Sequence, residues 1–149
     1  MTNHALRITP IVGAAAIALL ALGTPAARAT PAEPSAPQTT RTVQAPYTFG
    51  PGRSVSSDTA RLVMQTDGNL VVYDEHGRGR WASHTEGTGY RADFQTDGNF
   101  VVYTKGTPRR AVWSSGTGGH PGARLRVQDD GNVVIYDGSQ AIWNTGTAH

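Results

Sequence analysis

The sequence predicts an all-β domain made of three repeats. A nine-residue stretch, QTDGNLVVY at 65–73, returns as QTDGNFVVY at 95–103 and as QDDGNVVIY at 128–136. In each copy, short runs of β-branched and aromatic residues flank an Asp-Gly pair, which is a strong hairpin signal. From residue 47 onward the chain shows no apolar period of 3.6 residues, so we expect no helix there.

The chain begins with a segment that we interpret as a secretory signal. Arg7 is followed by an uncharged apolar run, ITPIVGAAAIALLALG at 8–23, and the segment closes on the small residues Ala27 and Ala29. This order is typical of a signal peptide, here residues 1–29, and the run is too short to span a bilayer comfortably. We therefore expect a secreted protein without membrane insertion.

Residues 30–46 differ in composition from the segment that follows them. The stretch TPAEPSAPQTTRTVQAP is rich in Pro, Ala and Thr and poor in large apolar residues. Such a segment buries too little surface to offset the entropy lost on ordering it. The sequence therefore predicts a linker over 30–46 and a folded domain over 47–149, which is long enough for one modest core.

Each repeat begins with a predicted hairpin. In the first copy the runs RLVMQ and NLVVYD are separated by Thr-Asp-Gly, and the glycine supplies the positive φ that the turn requires. The same glycine stands at 68, 98 and 131. We place the three repeats at about 59–89, 90–119 and 122–149.

A tryptophan follows the tyrosine of each motif after a loop of variable length, and we assign it to a further strand. These residues are Trp81, Trp113 and Trp143. A sheet of three or four strands cannot bury its apolar face alone, so the three sheets must pack on one another. We interpret the tryptophans as the centre of that packing and not as platforms for sugar rings.

Composition excludes several classes of function. The chain has 13 basic and 11 acidic residues, and loss of Arg7 and Arg28 with the signal leaves 11 of each. A near-neutral chain offers no basic stripe, so we expect no nucleic-acid binding. The sequence contains no cysteine, and its histidines are scattered. Thiol catalysis and thiolate metal sites are therefore excluded, and the histidines show no ligand spacing, so we expect no metal and no cofactor.

Five alternate positions of the motif hold Gln, Asp, Asn, Val and Tyr in every copy. In strands this parity places them on one face, while Leu70 and Val72 point toward the core. Neighbouring positions vary, since Thr66 becomes Asp129 and Leu70 becomes Phe100. Turn geometry explains the Asp, Gly and Asn but gives no reason to repeat a Gln and a Tyr. The repetition therefore favours a binding site.

The chemistry of these five residue types suits a sugar. A carboxylate, two amides and a phenol provide a dense array of hydrogen-bond acceptors and donors, and valine adds a small apolar patch. A sugar presents the complement, because adjacent hydroxyls donate and accept and the ring carries apolar C–H groups. The carboxylate gives the stronger, charge-assisted bond. The motif therefore predicts a carbohydrate site that requires no metal.

The pattern Q-x-D-x-N-x-V-x-Y resembles the mannose-binding signature of the bulb-type (monocot mannose-binding) lectins. The resemblance covers roughly residues 47–149, including the Trp of each repeat and the Thr four residues after it. It implies a type II β-prism of three four-stranded antiparallel sheets with pseudo-threefold symmetry. It also implies a metal-independent lectin, not an enzyme, with mannose-containing glycans as its partners.

The resemblance also implies a role for each motif residue. Asp and Asn bind the 2-hydroxyl of mannose, Gln binds the 3-hydroxyl, Tyr binds the 4-hydroxyl, and Val lies against the ring. The three predicted sites are Gln65, Asp67, Asn69, Val71 and Tyr73; Gln95, Asp97, Asn99, Val101 and Tyr103; and Gln128, Asp130, Asn132, Val134 and Tyr136.

The sequence departs from the family pattern in three respects. Family members commonly carry an intradomain disulfide, which this chain lacks. His84 stands where the other repeats have Gly116 and Gly146, so we expect a differently shaped loop after the first Trp. Many relatives form homodimers by exchanging a C-terminal strand, and the tail NTGTAH at 144–149 can complete its own sheet or a partner's.

Other classes of function fit the residues less well. A protein-targeting module on the same scaffold, such as a lectin-like toxin, bacteriocin or inhibitor, is the alternative, although the three intact motifs favour sugar binding. A glycosidase needs two carboxyl groups about 5–10 Å apart, whereas each motif supplies one Asp. The adjacent pair Asp129–Asp130 occurs in one repeat. An EF-hand is not indicated, because the loops lack the alternating ligands and the distal Glu.

Overall fold

The fold consists of β-strands and connecting turns. A computed structural model describes residues 39–149, and the predicted signal peptide 1–29 lies outside the described residues. The strands are β1 Arg41–Gln44, β2 Tyr47–Phe49, β3 Ser54–Ser56, β4 Ala60–Met64, β5 Leu70–Asp74, β6 Gly79–Ala82, β7 Gly89–Phe94, β8 Phe100–Thr104, β9 Ala111–Ser114, β10 Arg124–Val127, β11 Val133–Asp137 and β12 Gln140–Asn144. This part of the chain has no helix suited to crossing a membrane. The all-β prediction is confirmed.

The twelve strands form three antiparallel sheets of four strands each. The strand orders are β3-β4-β5-β6, β2-β7-β8-β9 and β1-β10-β11-β12. In each sheet the predicted hairpin supplies the two central strands, and the strand that carries the Trp lies at one edge. The three sheets repeat one architecture, which confirms the expected prism of three four-stranded sheets.

The prediction that residues 30–46 form a linker is wrong for its described part. β1 lies inside that range and pairs with β10, with Val43 opposite Leu125. Val43 is 5% exposed and belongs to the core. A lone valine in a Pro- and Thr-rich stretch carries little local signal, and its burial comes from a partner strand about eighty residues away. The folded domain therefore reaches back to Arg41 and does not begin at Tyr47.

The segment 41–56 supplies the fourth strand of all three sheets. β1 closes the sheet of the third repeat, β2 that of the second and β3 that of the first. Each repeat therefore contributes three strands. The fourth strand of each sheet comes from the segment that precedes all three repeats, so repeat periodicity alone does not predict it.

The core lies between the inner faces of the sheets. Leu70 and Val72 have no exposed surface and belong to the core cluster, as their parity predicted. The three tryptophans pack edge to face, with ring centroids 5.3, 5.6 and 5.6 Å apart, a favoured aromatic geometry. They lie partly buried against the core, which confirms their interpretation as packing residues.

A β-bulge recurs beside the tyrosine of each motif. Val72 pairs with Trp81, but the next residue, Tyr73, pairs with Gly79, so the Trp strand carries one extra residue at Arg80. The same register shift occurs in the other two sheets. Such bulges bend and twist a strand. The bulge lies on the partner strand, so the alternation of the motif strand itself is preserved.

Candidate functional site

The motif turn is the same in all three sheets. The Gly68 N–H donates to the Gln65 carbonyl at 3.1 Å, and the Gln65 N–H donates to the Asn69 carbonyl at 2.8 Å. This is a three-residue hairpin loop with glycine in the left-handed region, at φ 94° here and 86° and 85° in the other copies. A Cβ at Gly68 would also lie 2.2 Å from the Gly89 carbonyl oxygen, so glycine is required on two grounds.

The motif Asp caps the turn with one carboxylate oxygen and presents the other to solvent. In each copy Oδ1 accepts the N–H of the motif Asn at 2.9 Å. The second oxygen accepts no hydrogen bond from the part of the chain that the structure describes, and all three Asp residues are exposed. These residues are Asp67, Asp97 and Asp130. Each turn therefore offers one unused anionic acceptor.

The motif Asn is held by its amide oxygen. In the first site Asn69 Oδ1 lies 3.2 Å from the Ser83 hydroxyl and accepts the Thr85 N–H at 3.3 Å. In the third site Asn132 Oδ1 accepts from Thr145 Oγ1 at 3.0 Å and from the Thr147 N–H at 3.2 Å. Because the oxygen is engaged, the amide orientation is fixed, and the NH₂ group keeps its donors for a ligand.

In the second site the free oxygen of Asp97 and the amide nitrogen of Asn99 both lie close to Gly118. A Cβ placed on Gly118 would lie 3.5 Å from Asp97 Oδ2 and 3.8 Å from Asn99 Nδ2. A ligand hydroxyl that reaches both groups can donate to the carboxylate and accept from the amide. This pairing of acceptor and donor matches the dual character of a sugar hydroxyl.

The residues that orient each Asn were not predicted from the sequence. Two residues after each Trp stands a hydroxyl residue that contacts the Asn: Ser83, Ser115 and Thr145. Two residues further on, a buried Thr donates to the carbonyl of the turn glycine at 2.7 Å: Thr85, Thr117 and Thr147. The pattern Trp-x-(Ser/Thr)-x-Thr carried this signal, since it repeats in all three copies.

The loop after the first Trp was expected to differ in shape, and it does not. His84 adopts a left-handed φ of 55°, close to the 69° of Gly116 and the 67° of Gly146. The flanking Ser83 and Thr85 make the same hydrogen bonds as their counterparts, so the surrounding contacts impose the conformation. A non-glycine residue in this region carries backbone strain of roughly 1–2 kcal/mol.

Gln and Tyr meet across the hairpin. The Gln Nε2 atom donates to the Tyr hydroxyl oxygen at 2.5 Å in the first site, 2.7 Å in the second and 3.4 Å in the third. The Gln carbonyl oxygen and the Tyr O–H remain for a ligand. The motif valine between them is buried outside the core cluster, at 6%, 3% and 3% exposure, so it lies on the motif face.

The structure thus brings all five predicted residues together in each copy and keeps the three copies apart. Each site lies on the outer face of its own sheet, built from one hairpin. Asp129, the neighbour of Asp130, accepts hydrogen bonds from the Thr40 hydroxyl and the Asp58 N–H at 3.3 Å, away from the motif. Each site therefore holds one motif carboxylate.

A cluster outside the motif offers ligand types for a metal but is already engaged. Suitable oxygen or nitrogen atoms of Asp74, Glu75 and His76 lie within 4.8 Å of one another. Burial works to raise the pKa of Asp74. Hydrogen bonds from the Arg78 N–H and guanidinium and from the His76 N–H outweigh it and hold the pKa at about 2. The Arg78 guanidinium, 2.8 Å from Asp74, occupies this carboxylate as an ion pair.

Comparison with known proteins identifies the family. No family model matches the chain. A mannose-specific lectin from Aloe arborescens is 43% identical over 95 residues, which are 62% of this chain and 84% of that protein. This chain belongs to the bulb-type (monocot mannose-binding) lectin family. The resemblance drawn from the motif is confirmed.

Solved structures show that this lectin shares the family fold. A monomeric monocot mannose-binding lectin from Gastrodia elata is 39% identical, with a TM-score of 0.64 over 72% of this chain and 98% of that one. The mannose-specific agglutinin of snowdrop bulbs (Galanthus nivalis), solved with methyl α-D-mannoside, is 35% identical, with a TM-score of 0.58 over 72% and 97%. The sugar-binding roles of the fifteen motif residues in this lectin stay a prediction.

Proposed function

We propose that this chain is a secreted, metal-independent lectin that binds mannose-containing glycans through its three motif sites. The observation that supports the proposal is that each motif pairs a free hydrogen-bond acceptor on Asp with a free donor on Asn. The Asp presents an unused acceptor, and the Asn presents an amide whose oxygen is engaged elsewhere. A single hydroxyl satisfies both groups, and in mannose this is the 2-hydroxyl that the family resemblance implies.

The remaining motif residues extend the same chemistry along the hairpin. The Gln carbonyl oxygen and amide accept and donate to the next hydroxyl of the ring, and the Tyr hydroxyl serves the one after it. The buried valine between them offers an apolar surface to ring C–H groups. Each of these contacts is a hydrogen bond or an apolar contact, and neither kind requires a cation.

Binding of one sugar at one site is expected to be weak. Four or five direct hydrogen bonds at a net value of about 1 kcal/mol each correspond to affinity on the order of millimolar. Three sites on one chain multiply this on a glycan-covered surface, because the second and third contacts form at high effective concentration. The repetition of the motif therefore has a functional consequence.

The same geometry disfavours glycoside hydrolysis. That chemistry uses two carboxyl groups that flank one bond, about 5–10 Å apart. Each motif presents one exposed carboxylate on its own sheet. Two further carboxylates lie near a motif, and both are engaged: Asp129 accepts from Thr40 and Asp58, and Asp93 is held by Arg91 and Thr48. We infer that the sites bind sugars without cleaving them.

One chain closes its own sheets. β12 pairs with β11, and β1 supplies the fourth strand of the same sheet. We expect a single chain with three sites to be the binding unit. Exchange of the C-terminal strand would instead give a homodimer with six sites. Light scattering of the purified protein distinguishes the two masses.

Replacing each motif Asp with Asn tests the proposal. Asn keeps the oxygen that caps the turn but replaces the exposed acceptor with a donor. We expect the variant with Asp67, Asp97 and Asp130 all changed to lose binding to immobilised mannan in EDTA, with its melting temperature nearly unchanged. Asp129→Asn, the same change one residue away, serves as the control and keeps wild-type binding. Mannan binding by the triple variant at wild-type strength would refute the proposal.

The proposed export has its own test. The mature protein recovered from the culture medium should begin at Thr30 when its N-terminus is determined by mass spectrometry. Retention of the full-length chain in the cell would contradict the assignment of a signal peptide.

A further inference from the structure

The loop that follows the buried Thr of each repeat holds the motif Asp through one backbone hydrogen bond. In each copy an N–H of this loop donates to the carbonyl of the motif Asp, at 2.7 Å in the first site and 2.8 Å in the other two. The donors differ, because Gly87 serves the first site, His120 the second and His149 the third. Two of the three sites therefore carry an imidazole ring at this point, and the first site does not.

His149 contacts the groups that support both the Asp and the Asn of the third site. Its ring lies against the turn glycine, since a Cβ at Gly131 would overlap it. Its Nδ1 atom lies 3.0 Å from the carbonyl oxygen of Thr147, whose own N–H donates to Asn132 Oδ1. The backbone N–H of His149 holds Asp130. This one residue therefore supports the two side chains to which we assign the 2-hydroxyl of mannose.

The partners of the two ring nitrogens require His149 to carry a charge. Nε2 lies 2.9 Å from Glu75 Oε2, in the loop between β5 and β6, while Nδ1 faces the Thr147 carbonyl. Both partners are acceptors, and only an imidazolium donates from both nitrogens. A neutral ring has one N–H and gives up one of the two hydrogen bonds.

The surroundings of the ring favour its charged form. The pKa of His149 is raised, first by the hydrogen bond to the Thr147 carbonyl and then by that to Glu75, while burial and Arg80 act in the opposite direction. The charged or titratable groups that face the His149–Glu75 pair are Arg80 on β6, His76 at 3.3 Å from Glu75 and Asp130 in the adjoining turn. The ring is therefore protonated at mildly acidic pH and loses its charge as the pH rises through the raised value.

The ring of His120 in the second site does not require a charge. Among the residues that the structure describes, Asp137 is its one side-chain partner, with Oδ2 at 2.9 Å from Nδ1. A neutral ring with its proton on Nδ1 donates this single hydrogen bond. The three sites therefore form a series, with no ring in the first, a ring held at one nitrogen in the second and a ring held at both in the third.

We infer that His149 is a positioning residue of the third sugar site and that this site binds mannosides at full strength only while the ring is protonated. The inference rests on the proposed mannose-binding function and adds regulation by pH to one of its sites. When the ring becomes neutral, Thr147 or Glu75 loses its donor, and the loop that supports Asp130 and Asn132 is held less firmly. Partly exposed ion pairs contribute modestly, so we expect a change in affinity of about three-fold.

Sugar titrations on either side of the histidine range, at about pH 5.5 and about pH 8.5, test the inference. The Cα–Hα NMR signals of Gly68, Gly98 and Gly131 report one site each and do not exchange with water. We expect methyl α-mannoside to bind about three-fold more tightly at the Gly131 site at the lower pH, with a smaller change at the other two. The pKa of His149, followed at its ring signals, should rise when the sugar saturates the chain, because the coupling between proton and sugar is reciprocal.

Two substitutions separate the charge of the ring from the backbone hydrogen bond. His149→Gln keeps the N–H that holds Asp130 and a side chain that donates hydrogen bonds, but this side chain never carries a charge. Its third site should bind equally at both pH values, with the affinity that the wild type shows at the higher pH. His84→Gln makes the same change in the loop after the first Trp. This control should keep the wild-type pH dependence at Gly131.

The outcomes separate this inference from the proposed function. Sugar binding at three sites with no pH dependence at Gly131 overturns the inference and leaves the function standing. An equal pH dependence at all three sites, or one that survives in His149→Gln, also overturns it. Loss of third-site binding by His149→Gln at both pH values overturns it as well. Absence of any sugar shift at either pH overturns the proposed function and this inference with it.

Discussion

Replacing Ser83 with Ala tests the hydrogen-bond network that joins the first motif site to the core. Ser83 is 8% exposed, and its hydroxyl oxygen accepts the N–H of Leu70 at 3.0 Å. The same hydroxyl lies 3.2 Å from Asn69 Oδ1 and 2.8 Å from Thr85 Oγ1. One side chain therefore provides the hydrogen-bond acceptor of a buried backbone N–H and also holds the Asn69 amide that we assign to sugar binding.

The magnitude follows from the group left without a partner. In Ser83→Ala the N–H of Leu70, a fully buried residue, loses its acceptor, which costs about 1–3 kcal/mol. For a domain of this size, that corresponds to a fall of roughly 4–12 °C in melting temperature. Asn69 also loses one of its two anchors, so we expect methyl α-mannoside to bind more weakly at the first site alone.

Thermal unfolding followed by circular dichroism measures the first effect, and the NMR shift of Gly68 measures the second. Ser83→Thr is the matched control, because Thr145 fills the equivalent position in the third sheet. There its hydroxyl accepts the Val133 N–H at 3.0 Å. We expect near-wild-type behaviour from the threonine variant. An alanine variant that melts within 1 °C of wild type, or a threonine variant as unstable as alanine, would refute the reasoning.

Three further predictions concern the scaffold. His84 and Gly116 both have positive φ, which glycine adopts without strain. His84→Gly should therefore raise the free energy of unfolding by about 1 kcal/mol, and Gly116→Ala should lower it by a similar amount. Urea denaturation that shows no change in either variant would contradict the backbone strain assigned to His84. Glu75 and His149 lie 2.9 Å apart. The hydrogen bond to His149 lowers the pKa of Glu75. The pKa of His149 is raised, first by its hydrogen bond to the Thr147 carbonyl and then by its hydrogen bond to Glu75. The contribution of this pair to stability is lost as the pH falls through the lowered Glu75 value or rises through the raised His149 value. The difference in melting temperature between wild type and Glu75→Gln should therefore peak between pH 4.5 and 6.5, the ordinary values of the two groups, and a flat profile would contradict the pair. Val43→Ala should lower the free energy of unfolding, measured by urea denaturation, by about 2 kcal/mol. If residue 43 lay in a loose linker, the substitution would leave this free energy unchanged.

The hairpins and their face assignment were predictable because their causes are local. Asp-Gly within a three-residue loop specifies the turn, and alternation then decides which residues face the core. Val71 and Val72 illustrate this, since both are buried but Val72 alone of the two belongs to the core cluster. The bulge did not disturb the prediction, because it falls on the Trp strand.

Features that depend on partners distant in the chain could not be predicted from the sequence. β1 gains its burial from β10, and nothing within 30–46 indicates that contact. The conformation of His84 is imposed by hydrogen bonds on both sides, against its own preference.

The orientation of the motif Asn lies between these cases. The Ser or Thr two residues after each Trp repeats as regularly as the motif itself, so the pattern was available. Its role became apparent only when the Trp strand was placed beside the hairpin, where Ser115 reaches Asn99 at 3.2 Å. Repetition marks a position as constrained, and the contact explains the constraint.

The number of mannosides bound per chain tests the central claim most directly. Equilibrium titration of the purified protein with methyl α-mannoside in EDTA, followed at the amide signals of Gly68, Gly98 and Gly131, counts the sites one by one. We predict saturable shifts of all three signals in the millimolar range, three sugars per chain, with no effect of EDTA. No saturable shift at any of the three glycines, or shifts that EDTA abolishes, would contradict a metal-independent lectin with three sites.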